Sequence, residues 1–389
     1  IIKLVVEPQR TSGVFDLLQL SWGNMAGEPI DNYQLNDGLM EIELIDPLVP
    51  TQTVEIFIVY ILSIPRQGGA FGYTERQINL TNWYPFIPPY SNERGWVIQP
   101  PAIVGEHLVF DSADFIVEIF SDLSEIIIAG PAPEVVIGNL HRYTLQGARA
   151  FSWSASKDFL ALGTAQDNIP VTVYVFPEHQ SAGQAVLRTA VQALETFEEL
   201  FGAYPYPSLS VVEIDYEDGL ESDGLFFIGE VFFAAYDGSL QNLLPLLTAH
   251  ETAHQWWYGQ VGNNQALEPW LDEALATYSE FLFYENLSPA LGAWWWEIRV
   301  EQSALFELVG SRMYDYFNFS AYVRGEYAGG AIFMQALRDT MGDEVFFSAL
   351  RDYKEAGTNK ILMGQDFLQI MQSHTELDLN LVIEEHFTQ

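Results

Sequence analysis

The chain reads as an α+β protein of two domains: an antiparallel β-domain over residues 1–168 and a mixed domain over 169–389 with its helices in the later half. Three observations carry this. At 389 residues the chain exceeds one average domain and falls short of three. Its first 150 or so residues are strand-like runs broken by Gly, Pro, Asn and Asp. Beyond them the apolar spacing shifts from two residues to between three and four, the helical period.

In the first segment "MEIELI" alternates, while "VEIFIVYIL" and "DFIVEIF" are rich in β-branched and aromatic residues. The pattern loosens around "SKDFLALGTAQDNIP", and "VTVYVF" opens the mixed segment at residue 171, so the boundary is placed near 168, within about ten residues. From Gln184 to Phe201, Val186, Ala190, Ala193, Leu194, Phe197 and Leu200 recur on one helical face. Gly202 and Pro205 end that helix, and "LSVVEI" follows as a buried strand. Further helices are expected over 243–260, 269–286, 328–341 and 343–355, with Pro245 and Pro269 suited to first-turn positions. Neither an initiator Met nor a signal peptide precedes "IIKLVVEPQ", which suggests part of a longer precursor.

The net charge of −37 reflects missing base more than excess acid: 53 Asp plus Glu against 16 Lys plus Arg. Phosphate binding needs clustered cations, so nucleic acid is excluded as a partner and anionic membrane surfaces are disfavoured. No apolar run approaches the roughly 20 residues of a spanning helix, so no membrane insertion is expected in this segment. A basic peptide or a free amine would be attracted over long range; salt adaptation or solubility would explain the same charge. The chain has no Cys, which removes thiolate zinc sites, thiol nucleophiles and disulfides and leaves His and carboxylate as metal ligands. Absent Cys and sparse Lys lean toward an extracytoplasmic or secreted location without fixing it. Triplets of the form Asn-x-Ser/Thr at Asn79, Asn286 and Asn318 are too common to establish glycosylation, and nothing in the sequence sets the oligomeric state.

The chemistry concentrates in "HETAHQWWYGQ". His250 and His254 lie four apart, about 40° around a helix and one turn along it, so both imidazoles can reach one cation. Such a string arises by accident in about 2 of 100 chains of this composition, so a third ligand is needed to support it. A second helix, "EPWLDEALATYSEFLFYE", supplies Glu273 eighteen residues beyond His254, enough to finish one helix, turn through "GQVGNN" and begin another. Glu251, beside the first ligand, is placed to act as general base and to return the proton to a leaving amine. Glu268 and Asp272 are candidates to orient a ligand His. Trp256, Trp257 and Trp270 read as core packing.

These two stretches together resemble the zinc metallopeptidases of the aminopeptidase N and leukotriene hydrolase family, the gluzincin aminopeptidases, whose signature is H-E-x-x-H followed after 18 residues by Glu. The resemblance implies a thermolysin-like mixed α/β catalytic domain, one Zn2+ held by His250, His254 and Glu273, and Glu251 as base. It aligns "DGLES" with the family's G-x-M-E-N stretch, putting Glu221 where the substrate's α-ammonium is bound, with Asp218, Leu220 and Ser222 standing for Gly, Met and Asn. It aligns "YAGGA" with Y-x-K-G-A, making Tyr327 the donor to the oxyanion, with Gly329 in place of Lys and Tyr322 as the rival. Ser222 and the backbone near "DGL" are expected to shape the first side-chain pocket. The specific likeness runs from about 205 to 350 and implies a short form without the large helical C-terminal domain of longer relatives, hence a more open cleft.

The function implied is a zinc-dependent aminopeptidase acting on peptides with a free N-terminus. A zinc endopeptidase or broader peptidase of the same fold is the alternative, and a catalytically silent binding or scaffold relative is the alternative from another class.

Overall fold

The computed structural model describes residues 1–92, 94–123, 125–302 and 308–387. Its first part is built from small antiparallel sheets, as the alternation predicts. Ile2–Val5, Leu39–Ile42 and Tyr33–Asn36 form one, in that order, and Val14–Trp22 pairs with Ile56–Ser63 around a bulge between Leu17 and Gln19. Ile127–Ala129, Trp153–Ser156, Ile78–Leu80 and Phe71–Tyr73 form a four-stranded sheet, and Ala113–Phe120, Leu140–Ala148 and Val135–Ile137 a further sheet of three. The first sheet closes over a small core of its own around Ile2, Leu4, Phe15, Leu20, Met40 and Ile42. Asn79, one of the Asn-x-Ser/Thr positions, sits buried in the four-stranded sheet, donating to the Gly69 carbonyl and accepting from Ser154, so its amide is not open to a glycan.

The second part is organised on one mixed sheet. Its strands are β1 (Leu160–Gln166), β2 (Ile169–Val175), β3 (Leu209–Ile214), β4 (Gly219–Leu220) and β5 (Leu225–Gly229), in the order β1-β2-β3-β5-β4. The β2-β3 and β3-β5 pairs are parallel, and the hairpin β1-β2 and the short edge strand β4 are antiparallel to their neighbours. Every residue of β3 and β5 is buried, which accounts for their continuous apolar reading. Residue 168 lies in the turn of the β1-β2 hairpin, inside this sheet; a division just ahead of Leu160 keeps the sheet whole and falls within ten residues of the expected boundary.

Helix α1 (Gln180–Phe201) begins four residues before the apolar pattern does, after a single 3-10 turn at Pro177–His179. Gly202 ends it at φ +96, a conformation that favours glycine. Helices α2 (Leu243–Ala253) and α3 (Trp270–Leu287) stand beside α1, followed by α4 (Gly330–Met341) and α5 (Asp343–Gly357). Helix α2 is shorter than the predicted 243–260. Past His254 the chain turns sharply through Tyr258 at φ +114, and the Gly259 amide returns to the His254 carbonyl. Helix α4 starts two residues late because Val323–Gly329 forms a π-helical stretch ahead of it.

The main core spans both parts, from Tyr143, Leu145 and Phe151 through Val173, Val211 and Phe197 to Trp256, Trp257 and Trp270. Arg149, 3% exposed, joins them: its guanidinium donates to the carbonyls of Phe110, Tyr258, Gln260 and Lys360. Among the described residues no helix is long and apolar enough to cross a membrane.

Candidate functional site

Helix α2 is capped by Asn242, whose side chain accepts from the Leu244 amide, with Pro245 in the first turn where its missing N–H costs nothing. The helix is almost wholly buried and delivers His250, Glu251 and, at its C-terminal cap, His254 to the floor of a cleft. Helix α3 crosses beside it and places Glu273 in its first turn opposite both imidazoles. The Nε2 atoms of His250 and His254 are 3.1 Å apart, and Glu273 Oε2 lies 3.3 and 3.7 Å from them.

The outer nitrogens settle which atoms face the centre. His250 Nδ1 lies 2.7 Å from Glu280 Oε1 and His254 Nδ1 2.9 Å from the Trp257 carbonyl. A carbonyl oxygen only accepts, so His254 carries its proton on Nδ1 and presents a lone pair from Nε2; a carboxylate at Glu280 imposes the same on His250. Two imidazole lone pairs and a buried carboxylate oxygen without a hydrogen-bond partner therefore converge on one point. All three donor atoms lie within 4.8 Å of one another. Nitrogen and oxygen donors in this number suit a zinc site that keeps a position open.

Glu280, wholly buried, also accepts from Trp295 Nε1 at 2.8 Å and from Arg299 at 2.8 and 3.0 Å. Burial works against its charge, but Arg299 and His250 hold its carboxyl below the usual range. The expected orienting residues do not touch a ligand His. Glu268 accepts from the Gly364 amide, capping the helix Gly364–Ser373, and Asp272 accepts from Asn263 and the Glu273 amide. Helical geometry explains the difference: Glu280 is two turns past Glu273 and within about 20° of its face, whereas Asp272 is rotated by about 100°.

Glu251 is 4% exposed, and burial pushes its carboxyl well above the ordinary value, His250 opposing and Glu221, Asp218 and Glu273 reinforcing the shift. A carboxyl raised in this way binds a proton more readily than a free one. It lies against β4 so closely that a Cβ on Gly219 would overlap its carboxylate, which is why this position has no side chain. Tyr327, in the π-helical stretch, stacks on His250 with ring planes 8° apart and centroids 5.7 Å apart. Gly330, just beyond, lets this stretch approach α3, since a Cβ there would strike Ala274. Tyr322 lines the same cleft but packs edge-on against Tyr327 and Tyr316, one ring further from the imidazoles.

Glu221, at the end of β4, is 2.9 Å from Gln265 Nε2, which also reaches Glu106 at 3.4 Å. Glu106, like Glu280, is a residue that sequence reasoning missed. Burial and the neighbouring Glu221 push its carboxyl well above the ordinary value, as two carboxyls sharing a small space require. It comes from a loop in the first part of the chain, and no local pattern in "IVGEH" marks it. The Ser222 hydroxyl donates to Ser152 at 2.9 Å, and both line a cavity shared with Glu106, Glu221 and Gln265, as expected of a side-chain pocket beside Glu221. Trp256, Trp257 and Trp270 are core residues, as expected, though the backbone of Trp257 holds His254. The cleft encloses about 540 Å3 and is walled by Glu106, Asp218, Glu221, Arg299, Phe319, Tyr322 and Tyr327 around the metal-type triad.

A family model described as the peptidase family M1 domain matches residues 186–386, more than half of the chain. Aminopeptidase M1-D of Oryza sativa subsp. japonica is 28% identical over 139 residues, 34% of this chain and 16% of its own. Endoplasmic reticulum aminopeptidase 2 of Bos taurus is 26% identical over 235 residues, 54% of this chain and 24% of its own. The chain thus spans a quarter or less of the length of these two relatives. The fold matches a crystal structure of an M1 zinc metallopeptidase mutant from Deinococcus radiodurans with a TM-score of 0.68 at 17% identity, covering 100% of this chain and 86% of that one. A related structure of that protein, bound to a Tyr-Ser-Ala substrate, matches with a TM-score of 0.65 at 17% identity, covering 98% and 84%.

Proposed function

The chain belongs to peptidase family M1, and from that premise we propose that it is a zinc-dependent aminopeptidase, removing residues one at a time from the free N-terminus of peptides. The observation that carries the reading is the convergence of the His250 and His254 lone pairs with the unpartnered Glu273 oxygen, beside a buried Glu251 and below an edge strand ending in Glu221. A zinc ion held there would polarise the substrate carbonyl and acidify a water molecule.

The protein's own groups do the rest. Glu221 and Glu106, bridged by Gln265, accept the substrate's ammonium, and their closeness favours a cation between them. Edge strand β4 offers its open side to an extended peptide, and the carboxylates at its end stop further chain from threading past. Glu251 takes a proton from the attacking water and passes it to the departing amine. The Tyr327 phenol, held neutral by burial, donates to the oxygen that becomes negative in the tetrahedral intermediate.

The test is the initial rate on amino-acid aryl amides with free amines, with and without a zinc chelator and with zinc restored, alongside N-acetylated twins. Turnover that the chelator abolishes, zinc restores and acetylation prevents is expected. Equal hydrolysis of acetylated and free substrates would point to the endopeptidase reading, which the acidic amine site disfavours. No turnover by zinc-loaded protein would favour the silent relative.

A further inference from the structure

We infer that Asp218 selects for a cationic side chain on the second residue of the substrate, so that the preferred peptides carry Lys or Arg there. The inference rests on the aminopeptidase reading and deepens it.

The order of residues along one edge of the sheet leads to it. β4 pairs Gly219 with Ile228 and Leu220 with Phe227, and the Gly229 amide donates to the Asp218 carbonyl just before it, so the stretch from Asp218 to Leu220 runs along β5 beside the cleft. Gly219 abuts the Glu251 carboxylate and so marks the position of the bond that is cut. Glu221, two residues further on, marks the ammonium end with Gln265 and Glu106. Asp218 precedes Gly219, and at no more than about 3.3 Å per residue it stands within roughly 10 Å of Glu221, with the base between them. Glu251 accordingly feels both Glu221 and Asp218, while the charges that bear on Asp218 are those of Glu273, His250 and Arg299.

A peptide bound by its ammonium at Glu221, with its first carbonyl over Glu251, must run its second residue toward Asp218. Consecutive Cα atoms are 3.80 Å apart, so the Cα of the second residue falls short of Asp218 and only a long side chain closes the distance. Asp218 is half-buried in the cleft wall, where a charge is less screened than on an open surface. Its Oδ1 accepts from the Gly219 amide at 3.0 Å, which fixes the carboxylate without neutralising it. Arg299, the cation on the same wall, is committed to Glu280 through two hydrogen bonds. A neutral or acidic second residue therefore gives the Asp218 carboxylate no direct partner, whereas Lys or Arg pairs with it.

The experiment compares kcat/KM for alanyl-lysine amide, alanyl-norleucine amide and alanyl-glutamate amide in the zinc-loaded wild type and in Asp218→Asn and Asp218→Lys. Lysine and norleucine have similar length, so their ratio isolates the charge. The wild type is expected to prefer lysine over norleucine by about tenfold. That ratio should fall toward one in Asp218→Asn, which keeps the oxygen that accepts from Gly219. In Asp218→Lys the preference should turn to glutamate. A lysine-to-norleucine ratio near one in the wild type, or a ratio that Asp218→Asn leaves in place, would overturn the inference while the aminopeptidase reading stands. Failure of the wild type to cleave any of the three would overturn both. Because each readout is a ratio within one protein, a variant that folds poorly but turns over at all still reports the preference, and the reversal in Asp218→Lys cannot come from general damage.

Discussion

On the floor of the cleft, His250, Glu251 and His254 ride on one helix and Glu273 on the next. On its rim, Asp218 and Glu221 flank the edge strand β4, Gln265 comes from a loop between helices and Glu106 from a loop more than a hundred residues earlier. The floor groups are buried, and each ligand imidazole has a partner behind it: Glu280 behind His250, the Trp257 carbonyl behind His254. The rim carboxylates Glu106 and Glu221 share one amide, that of Gln265. Helices thus hold the groups of the proposed metal site, while a sheet edge and two loops hold those proposed to receive the substrate.

The comparison is tested most severely at the base. Glu251→Gln should lower kcat by about 10^2 to 10^4-fold while zinc content by elemental analysis stays at the wild-type level; unchanged turnover would move the proton transfer elsewhere. Next comes the support of the floor. Glu280→Gln can still accept from His250 but loses its charge, and should weaken zinc affinity about 10 to 100-fold in a competitive chelator titration. Wild-type affinity would show that the carboxylate behind His250 only packs. Smaller effects belong to the rim. Glu106→Gln should raise KM for free-amine substrates by about tenfold, the scale of one lost charge-assisted contact, with zinc affinity unchanged; a loss of zinc instead would mean that floor and rim are one unit.

A last effect, on stability rather than turnover, lies outside both. Glu326 accepts from the Tyr316 hydroxyl and from the amides of Gly310 and Ser311, yet burial pushes its carboxyl from 4.5 up to about 8. A carboxyl raised on folding binds its proton more tightly in the native state, so its contribution to stability is full below pH 4.5 and is lost as pH rises through about 8. The melting temperature of Glu326→Gln should therefore gain on the wild type between pH 5 and pH 8. Parallel curves would remove Glu326 as the cause.

How far the site could be read from sequence follows the same division. The triad was legible because helical spacing converts directly into direction: four residues return His254 to the face of His250, and eighteen are enough to bring back an antiparallel helix. The spacing could also have revealed Glu280, two turns beyond Glu273, whereas the nearer acids Glu268 and Asp272 drew attention by proximity along the chain. Glu106 was beyond reach, since only the tertiary fold brings its loop to β4. The helix ending at Ala253 was hidden because "HQWWYGQ" remains apolar past the stop; what ends the helix is the turn at Tyr258 that frees the Trp257 carbonyl for His254. β-Alternation located the early strands "VEIFIVYIL" and "DFIVEIF" but not their partners, because alternation specifies faces rather than neighbours.

Arg149 bears on how far the chain could be shortened. A fragment starting at Leu160 would lose the guanidinium that donates to the carbonyls of Tyr258 and Lys360, while the Gln260 carbonyl would keep the Asn359 amide. At about 1–3 kcal/mol for each buried acceptor that finds no new donor, that deficit is a sizeable share of the stability of an ordinary domain, about 5–15 kcal/mol. Trimming should therefore begin at the outermost strands of the first part, which enclose a core of their own, and leave the segment around residue 149 as the pin between the two parts.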